Sequence, residues 1–328
     1  MIIIVSARIF CYAKYHKSGN YLVMFQNLFS EGGLSLDRLK SFCEVAEAGG
    51  VTKAAKGEES RQSLFSRQIK ELEEFFGTEL VWRKGRGIAL TPAGEQLHIL
   101  AREQLLALTD FKKICAGQKV ELTVAAGDSL LQWVLLPRLH DIRQKLPNVA
   151  VKMLSLPTSE IARRLKEGTV DLCLVRDGSV AEPSQFVMLG AMTYSLFVPA
   201  RMFPKVKVMD VSSKTLSELP LATLEGTGMF RQELDRLSKR HKLSLNIQIE
   251  LFSFPLVAQA VRTGEFAAIL PSIAAAELSE AEVVELKPEF LRALKSRRIV
   301  LAWSPRTARI RVAVAKAIPV FRSLCQLQ

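Results

Sequence analysis

The chain lacks the residue spacings that most site chemistries need. Its five cysteines, Cys11, Cys43, Cys115, Cys173 and Cys325, are odd in number, far apart and never in a CxxC pair. That excludes a fully paired disulfide framework and fits a reducing compartment. Its four histidines, His16, His98, His140 and His241, form no HExxH and no Cys/His spacing that closes a metal site. There is no Walker loop, no GxGxxG after a strand and no GxSxG, and no carboxylate pair stands out from ordinary surface charge. Enzyme chemistry therefore has no foothold, and neither a metal nor a cofactor is expected. The apolar opening "MIIIVSARIF" is too short to span a bilayer, has no basic segment ahead of it and carries no convincing cleavage site. A soluble cytoplasmic protein with no membrane partner is expected. Residues 1–35 read as an N-terminal extension, and Met24 marks where an upstream translation start would leave the first 23 residues outside the working protein.

What is present is a globular composition: 328 residues, 48% hydrophobic and 24% charged, enough for one large domain or a small domain and a larger one. The net charge of +12 makes a polyanion or an anionic ligand a natural partner. Residues 36 to 115 hold 13 Lys and Arg against 12 Asp and Glu. Most of the excess thus lies further along the chain, and bulk basicity says nothing about the first domain.

From residue 36 the apolar side chains fall into register. In "LDRLKSFCEVAEAGG", Leu36, Leu39, Phe42, Cys43 and Ala46 share one helical face that stops at Gly49 and Gly50. "VTKAAKG" follows as a short second helix, with Thr52 as a cap and Gly57 in the left-handed position after its end. A third helix lies in "ESRQSLFSRQIKELEEFFGTEL", capped by Ser60, burying Phe65, Ile69, Leu72 and Phe76, and ending at Gly77. Its exposed start carries Arg61, Gln62, Ser63, Ser66, Arg67 and Lys70, all able to hydrogen-bond phosphate or base edges, with Glu71, Glu73 and Glu74 behind them. The helix dipole favours the opposite order of charge. A DNA phosphate at the N-terminal end would compensate, and a solvated basic patch is the alternative. Next, "LVWRKGRGIALTPAGEQL" reads as a strand, a turn tipped by Arg83, Lys84 and Arg86, a second strand and a helix from Thr91 with Pro92 in its first turn. A hairpin tipped with three bases beside a helix-turn-helix is a wing, suited to phosphates or the minor groove.

Residues 36 to about 100 resemble the N-terminal domain of LysR-type transcriptional regulators, on the strength of "LDRLKSFCEVAEAGGVTKAA", "SRQIKELEEFFGTEL" and "LTPAGE". Two positions depart from the family pattern: "KGEES" stands where apolar residues are usual, and Ser63 where proline is common. The resemblance implies a winged helix-turn-helix over 36–90 that binds double-stranded DNA through Thr52, Arg61, Gln62, Ser63, Ser66, Arg67, Lys70, Arg83, Lys84 and Arg86. From 91 to 117 the helix continues with Leu97, Ala101, Gln104, Leu108 and Phe111 in the four-three alternation of a coiled coil. That spacing serves equally a helix packed on its own domain. The resemblance implies a linker helix through which subunits associate as a homodimer or homotetramer.

Beyond "AGQK", strand-like runs "VELTVAA", "VAVKML" and "VDLCLV" alternate with helical stretches, which implies a parallel sheet covered on both faces. "YSLFVP", "LATL", "IQIELF" and "FAAILP" imply a second sheet, so residues 118–328 suit two α/β lobes in series. They resemble the effector domain of the same regulators, built like periplasmic binding proteins around a cleft, which implies a small-molecule effector whose identity the residues leave open. The whole is an α+β multidomain chain: winged helix-turn-helix, long linker helix and two-lobed α/β domain. Ligands of open α/β sheets sit beyond the C-terminal ends of strands. That rule nominates Ser129, Thr158, Ser159, Arg176, Thr227 in "EGTG", and Phe254 at the end of the sixth strand. Taken singly, each serves as readily as a helix cap, a surface charge or a turn residue, and Asp128 beside Ser129 would compete with an anionic ligand. A small-molecule binding protein without DNA function is the alternative for the C-terminal two-thirds, and residues 36–115 argue against it.

Overall fold

A computed structural model describes residues 32–84, 87–205, 213–226, 228–279 and 281–327. Residues 1–31 of the expected extension, Arg86 and Thr227 lie outside the described residues. The chain divides into two compact units, Met1–Leu105 and Leu106–Gln328, with the boundary inside one helix. No described helix is long and apolar enough to cross a membrane.

In the first unit, α1 (Leu36–Ala48) is capped by Ser35, whose Oγ accepts from the Arg38 N–H at 3.2 Å, and it ends at Gly49 in the left-handed conformation, φ 69°. The next helix, α2 (Val51–Ala54), starts after Gly50, so Thr52 lies inside it and caps nothing. Lys56 and Gly57, at φ 51° and 86°, then swing the chain round so that α3 (Glu59–Phe76) begins at Glu59. Ser60 is therefore already helical and Glu58 holds the cap position without a side-chain bond. The acidic first turn also removes the reversed-dipole argument, because Glu59 sits where the dipole favours an acid. Phe65, Ile69 and Leu72 enter a core with Phe42, Val45, Ala55, Leu80 and Leu97. Phe76 does not: it is 40% exposed, and Leu80 closes that end of the core instead.

The strands β1 (Val81–Lys84) and β2 (Gly87–Leu90) pair antiparallel with Lys84 opposite Gly87, a two-residue hairpin. α4 (Pro92–Cys115) follows, capped by Thr91, whose Oγ1 accepts from the Gly94 N–H at 3.0 Å and donates to the Glu79 carbonyl at 2.8 Å. A Cβ on Gly94 would lie 2.0 Å from the Leu80 carbonyl oxygen, so only glycine lets this first turn rest on the chain leading into the wing.

The second unit holds two five-stranded mixed sheets. One contains β3 (Val120–Ala126), β4 (Val149–Ser155), β5 (Leu172–Arg176), β6 (Gln185–Met192) and β12 (Arg297–Trp303) in the order β4-β3-β5-β12-β6. The other contains β7 (Tyr194–Pro199), β8 (Leu221–Leu224), β9 (Ile247–Leu251), β10 (Ala267–Pro271) and β11 (Val283–Leu286) in the order β11-β7-β10-β8-β9. Only β3, β4 and β5, and β8, β9 and β10, run parallel; β12 is antiparallel to β5 and β6, and β7 to β10 and β11. The lobes are also not in series. The chain leaves the first lobe, which holds α5 (Thr158–Lys166), between Met192 and Tyr194 and returns to it with β12 and α8 (Val312–Leu324) after α6 (Met229–Arg240) and α7 (Phe254–Arg262). Val314, Ala317 and Phe321 of α8 pack into the first lobe's core beside Leu122, Val134, Leu172 and Leu301.

Ahead of α8 stands Arg311, 4% exposed. Its Nε donates to Asp110 Oδ2 at 2.7 Å, its Nη2 to the Glu121 carbonyl at 2.7 Å, and its Nη1 to Asp171 Oδ1. Asp171 also accepts from the Thr123 N–H at 2.8 Å. Burial pushes the Asp171 carboxyl above its usual range, with Arg311 opposing the shift. Removing the guanidinium leaves two buried carboxylates unpaired, so Arg311→Met should cost ~3–5 kcal/mol at neutral pH. A carboxyl whose folded pKa is raised binds more protons folded than unfolded, so the deficit relative to wild type should shrink as pH falls through the raised pKa toward about 4. Urea denaturation of both chains at several pH values checks this, and a pH-independent deficit would contradict it.

Candidate nucleic-acid interface and effector cleft

On α3, Ser63, Ser66, Arg67 and Lys70 are all exposed and fall at i, i+3, i+4 and i+7, one continuous face opposite the buried stripe. Arg67 lies 3.8 Å from Glu71 and Lys70 3.6 Å from Glu74, both surface pairs. Arg61 and Gln62 are half-buried and turned aside. The Arg61 guanidinium lies 3.7 Å from Glu44 and 5.5 Å from the Phe65 ring, while Gln62 Oε1 accepts from Thr52 Oγ1 at 3.4 Å, joining α2 to α3. Arg83 and Lys84 end β1 at the hairpin turn. Glu58 and Glu59, exposed at the start of α3, are the acids that the "KGEES" departure brings to this surface.

Along α4 the five expected positions divide between exposed and buried. Gln104, Leu108 and Phe111 are exposed, but Leu97 is 8% exposed within the winged-helix core and Ala101 is 1% exposed. The exposed apolar side chains of α4 are Leu100, Leu108, Phe111 and Ile114, with the exposed Gln104 among them.

In the receiver unit, β4, β3 and β5 are adjacent and parallel, so their C-terminal ends share one sheet edge. That edge brings together Ser129, in the short helix after β3, Thr158 and Ser159, which open α5, and Arg176, which ends β5. Phe254 does not end a strand: β9 stops at Leu251 and Phe254 opens α7. Its ring packs at 4.8 Å from Phe230 and 6.3 Å from Tyr194, an aromatic group inside the second lobe. Composition offered no sign of the residues around Arg176. A cavity of about 460 Å³ is lined there by Arg176, Ser179, Met229, Glu233, Lys295 and Arg297, among others, and the only sequence signal was the basic run "KSRR" that leads into β12.

A second cavity, of about 540 Å³, is lined by Trp133, Arg138, Thr193, Ser272, Glu285 and Lys287, among others. Beside it the lobes are clasped. Trp133, from the helical segment after β3, is 4% exposed among Phe197, Ala222, Val257 and Leu270 of the second lobe. Its indole N–H donates to Glu277, which also accepts from Gln132 Nε2 at 3.1 Å and Gln259 Nε2 at 2.9 Å. Burial pushes the Cys43 and Cys173 thiols up to about 12 and Cys325 to about 11, so these three are protonated packing residues. Among the described residues no group of three His, Cys, Asp or Glu is placed to hold a metal.

A winged helix-turn-helix and a two-sheet receiver in one chain define a ligand-responsive DNA-binding protein. Residues 36–95 match the model of bacterial regulatory helix-turn-helix proteins of the lysR family, and residues 116–318 match the LysR substrate binding domain. The chain belongs to the LysR-type transcriptional regulators, with a DNA-binding domain and an effector-binding domain, and is not an enzyme. Among curated relatives, it is 28% identical over 248 residues to a probable nitrogen assimilation transcriptional activator of Synechococcus elongatus, covering 74% of this chain and 80% of that one. It is 26% identical over 266 residues to the transcriptional activator IlvY of Salmonella typhimurium, covering 79% and 86%. Its fold is shared with full-length OxyR from Pseudomonas aeruginosa, at a TM-score of 0.61, 17% identity and coverage of 89% and 98%. It is shared too with full-length LysG from Corynebacterium glutamicum with bound effector Arg, at 0.59, 20%, and 87% and 99%.

Glu277→Ala removes the acceptor for three donors, one of them the buried Trp133 indole. The receiver should lose ~1–3 kcal/mol of stability, read by chemical denaturation. Unchanged stability would mean that the clasp is not a net contributor.

Proposed function

We propose that the regulator reads its operator with the exposed face of α3, Ser63, Ser66, Arg67 and Lys70 meeting base edges and phosphates in the major groove. Thr52, Arg61 and Gln62 flank that face, and Arg83, Lys84 and Arg86 of the wing rest on phosphates. The observation that carries this reading is the alignment of four exposed polar side chains at helical spacing opposite a buried stripe. The ion pairs Arg67–Glu71 and Lys70–Glu74 are exposed and worth under ~1 kcal/mol each, so exchanging a carboxylate for a phosphate costs little.

Two copies pair along Leu100, Gln104, Leu108, Phe111 and Ile114, because a monomer that kept this apolar stripe in water would gain nothing from it. The working form is a homodimer or homotetramer in the cytoplasm, where DNA and reduced thiols coexist. Residues 36–90 act as the DNA-binding domain, 91–117 as the linker and 118–328 as the effector domain. A small molecule taken at the sheet edge near Ser129, Thr158, Ser159 and Arg176, with Thr227 as a further proposed contact, shifts the populations of two lobe arrangements.

Fluorescence anisotropy with the intergenic duplex beside the protein's own gene, across a salt series and against a scrambled competitor, tests the reading. Arg67→Ala should cost ~1–3 kcal/mol and relax preference at one base. Lys84→Ala should weaken all sequences alike and lower the salt slope by about one. No binding to any duplex at any salt would sink the proposal. Phe111→Asp should sediment as a monomer in analytical ultracentrifugation; an unchanged sedimentation coefficient would remove α4 from the subunit interface.

A further inference from the structure

Charge is unevenly placed along the receiver's open sheet edge. After β3, the Asp128 carboxylate accepts from Ser155 Oγ, and α5 carries Glu160 in its first turn, paired with Arg163 at 2.6 Å and Arg164 at 2.7 Å. An anion approaching Ser129 meets the Asp128 carboxylate, and at α5 the arginines are already taken up by Glu160. At the end of β5 cations outnumber acids. The cavity of about 460 Å³ there is lined by four cations, Arg176, Lys295, Arg297 and Arg298, and two acids, Asp177 and Glu233.

Both acids are committed, Asp177 to Arg298 at 3.1 Å and Glu233 to Arg297 at 3.4 Å. Arg176 and Lys295 have no carboxylate within ion-pair distance among the described residues. Arg176 Nη1 instead rests on the Met229 thioether at 2.9 Å, a weak acceptor. Burial and the neighbouring Arg297 both work against the charge on Arg176, a strain that an added anion relieves. Met229 is also the first residue of α6, a 12-residue helix with no acid in its first turn, so its leading N–H groups are available to an acceptor. Behind the cavity wall lies Tyr194, 5% exposed, with the Arg297 guanidinium 5.9 Å from its ring, so the wall behind Arg297 is a packed aromatic group. The cations of the other cavity are already engaged, Lys287 with Glu285 at 3.4 Å and Arg138 with the Val134 carbonyl at 2.8 Å.

We infer that the cavity between β5 and α6 takes a small organic dianion, a dicarboxylate or a phosphate monoester. One anionic group sits on Arg176 and the α6 N-terminus, and the other faces Lys295. Two uncommitted cations set the ligand charge at two. The inference rests on the reading that this domain takes its effector between its lobes.

Isothermal titration calorimetry and thermal melting of the full chain test it with succinate and glycerol 3-phosphate, against neutral glycerol and cationic arginine. One dianion should bind and raise Tm, and which one it is separates the carboxylate from the phosphate source. Arg176→Met should weaken that binding at least about tenfold, while Arg322→Ala, which removes the same charge from an exposed site on α8, should leave it unchanged. Binding of neither dianion, or equal weakening in both variants, would overturn the inference. If glycerol or arginine binds instead and Arg176→Met leaves it unaffected, the dianion falls and the effector cleft stands. A chain whose Tm and DNA affinity answer to none of the four ligands, nor to a metabolite extract of its host, overturns both.

Discussion

One guanidinium holds the receiver domain together. Arg311 binds Asp110 on α4, Asp171 ahead of β5 and the Glu121 carbonyl in β3, across sequence separations of 201, 140 and 190 residues. A buried charge is tolerated only where it is paired and hydrogen-bonded, so these partners can separate only at a cost of several kcal/mol, roughly. The consequence reaches the linker helix. Holding Asp110 inward fixes the rotation of α4, which leaves Leu108 and Phe111 pointing to water. The same ion cluster thus anchors the first lobe to the linker and presents the apolar stripe that a second copy can cover.

Within the receiver, the two lobes are joined unequally. On one side Glu277 gathers three donors and Trp133 is buried in the opposite lobe's core. On the other, Arg297 of β12 pairs with Glu233 of α6 at 3.4 Å, and beside that pair the Arg176 guanidinium meets only a thioether. The uncommitted cations Arg176 and Lys295 lie on this second side, next to the thioether contact. Ligand energy can shift a two-state equilibrium only by its difference in affinity for the two states. A ligand that replaces a guanidinium–thioether contact with charge-assisted hydrogen bonds supplies such a difference.

Local structure was largely legible in the sequence, and long-range structure was not. The runs Val120–Ala126, Tyr194–Pro199 and Leu221–Leu224 are strands to the residue, because each is a compact apolar run bounded by turn or polar residues. The helix stops at Gly49 and Gly77 were equally clear, since both take the left-handed conformation that glycine favours. β6 and β11 escaped notice: β6 is an edge strand with Phe186 exposed and Gly190 in its middle, and β11 is four residues long. The start of α3 was misread because Ser60 is a good cap in isolation, whereas the left-handed pair Lys56–Gly57 decides where the helix begins. The return of β12 to the first sheet, the inward turn of Leu97 and the cluster on Arg311 depend on partners far along the chain, and no local pattern encodes them. At the DNA surface the residue types were readable, but not that Arg61 is drawn to Glu44.

Coupling between the receiver and the DNA reader is the claim on which the functional account rests, and it is reciprocal by thermodynamic necessity. The most direct measurement is the affinity of the full chain for its operator duplex with and without a saturating dianion, at fixed ionic strength. A coupled regulator should show a shift of about fivefold or more in either direction, matched by an equal shift in dianion affinity when the duplex is added. Identical affinities with and without a dianion that is demonstrably bound would contradict the coupling.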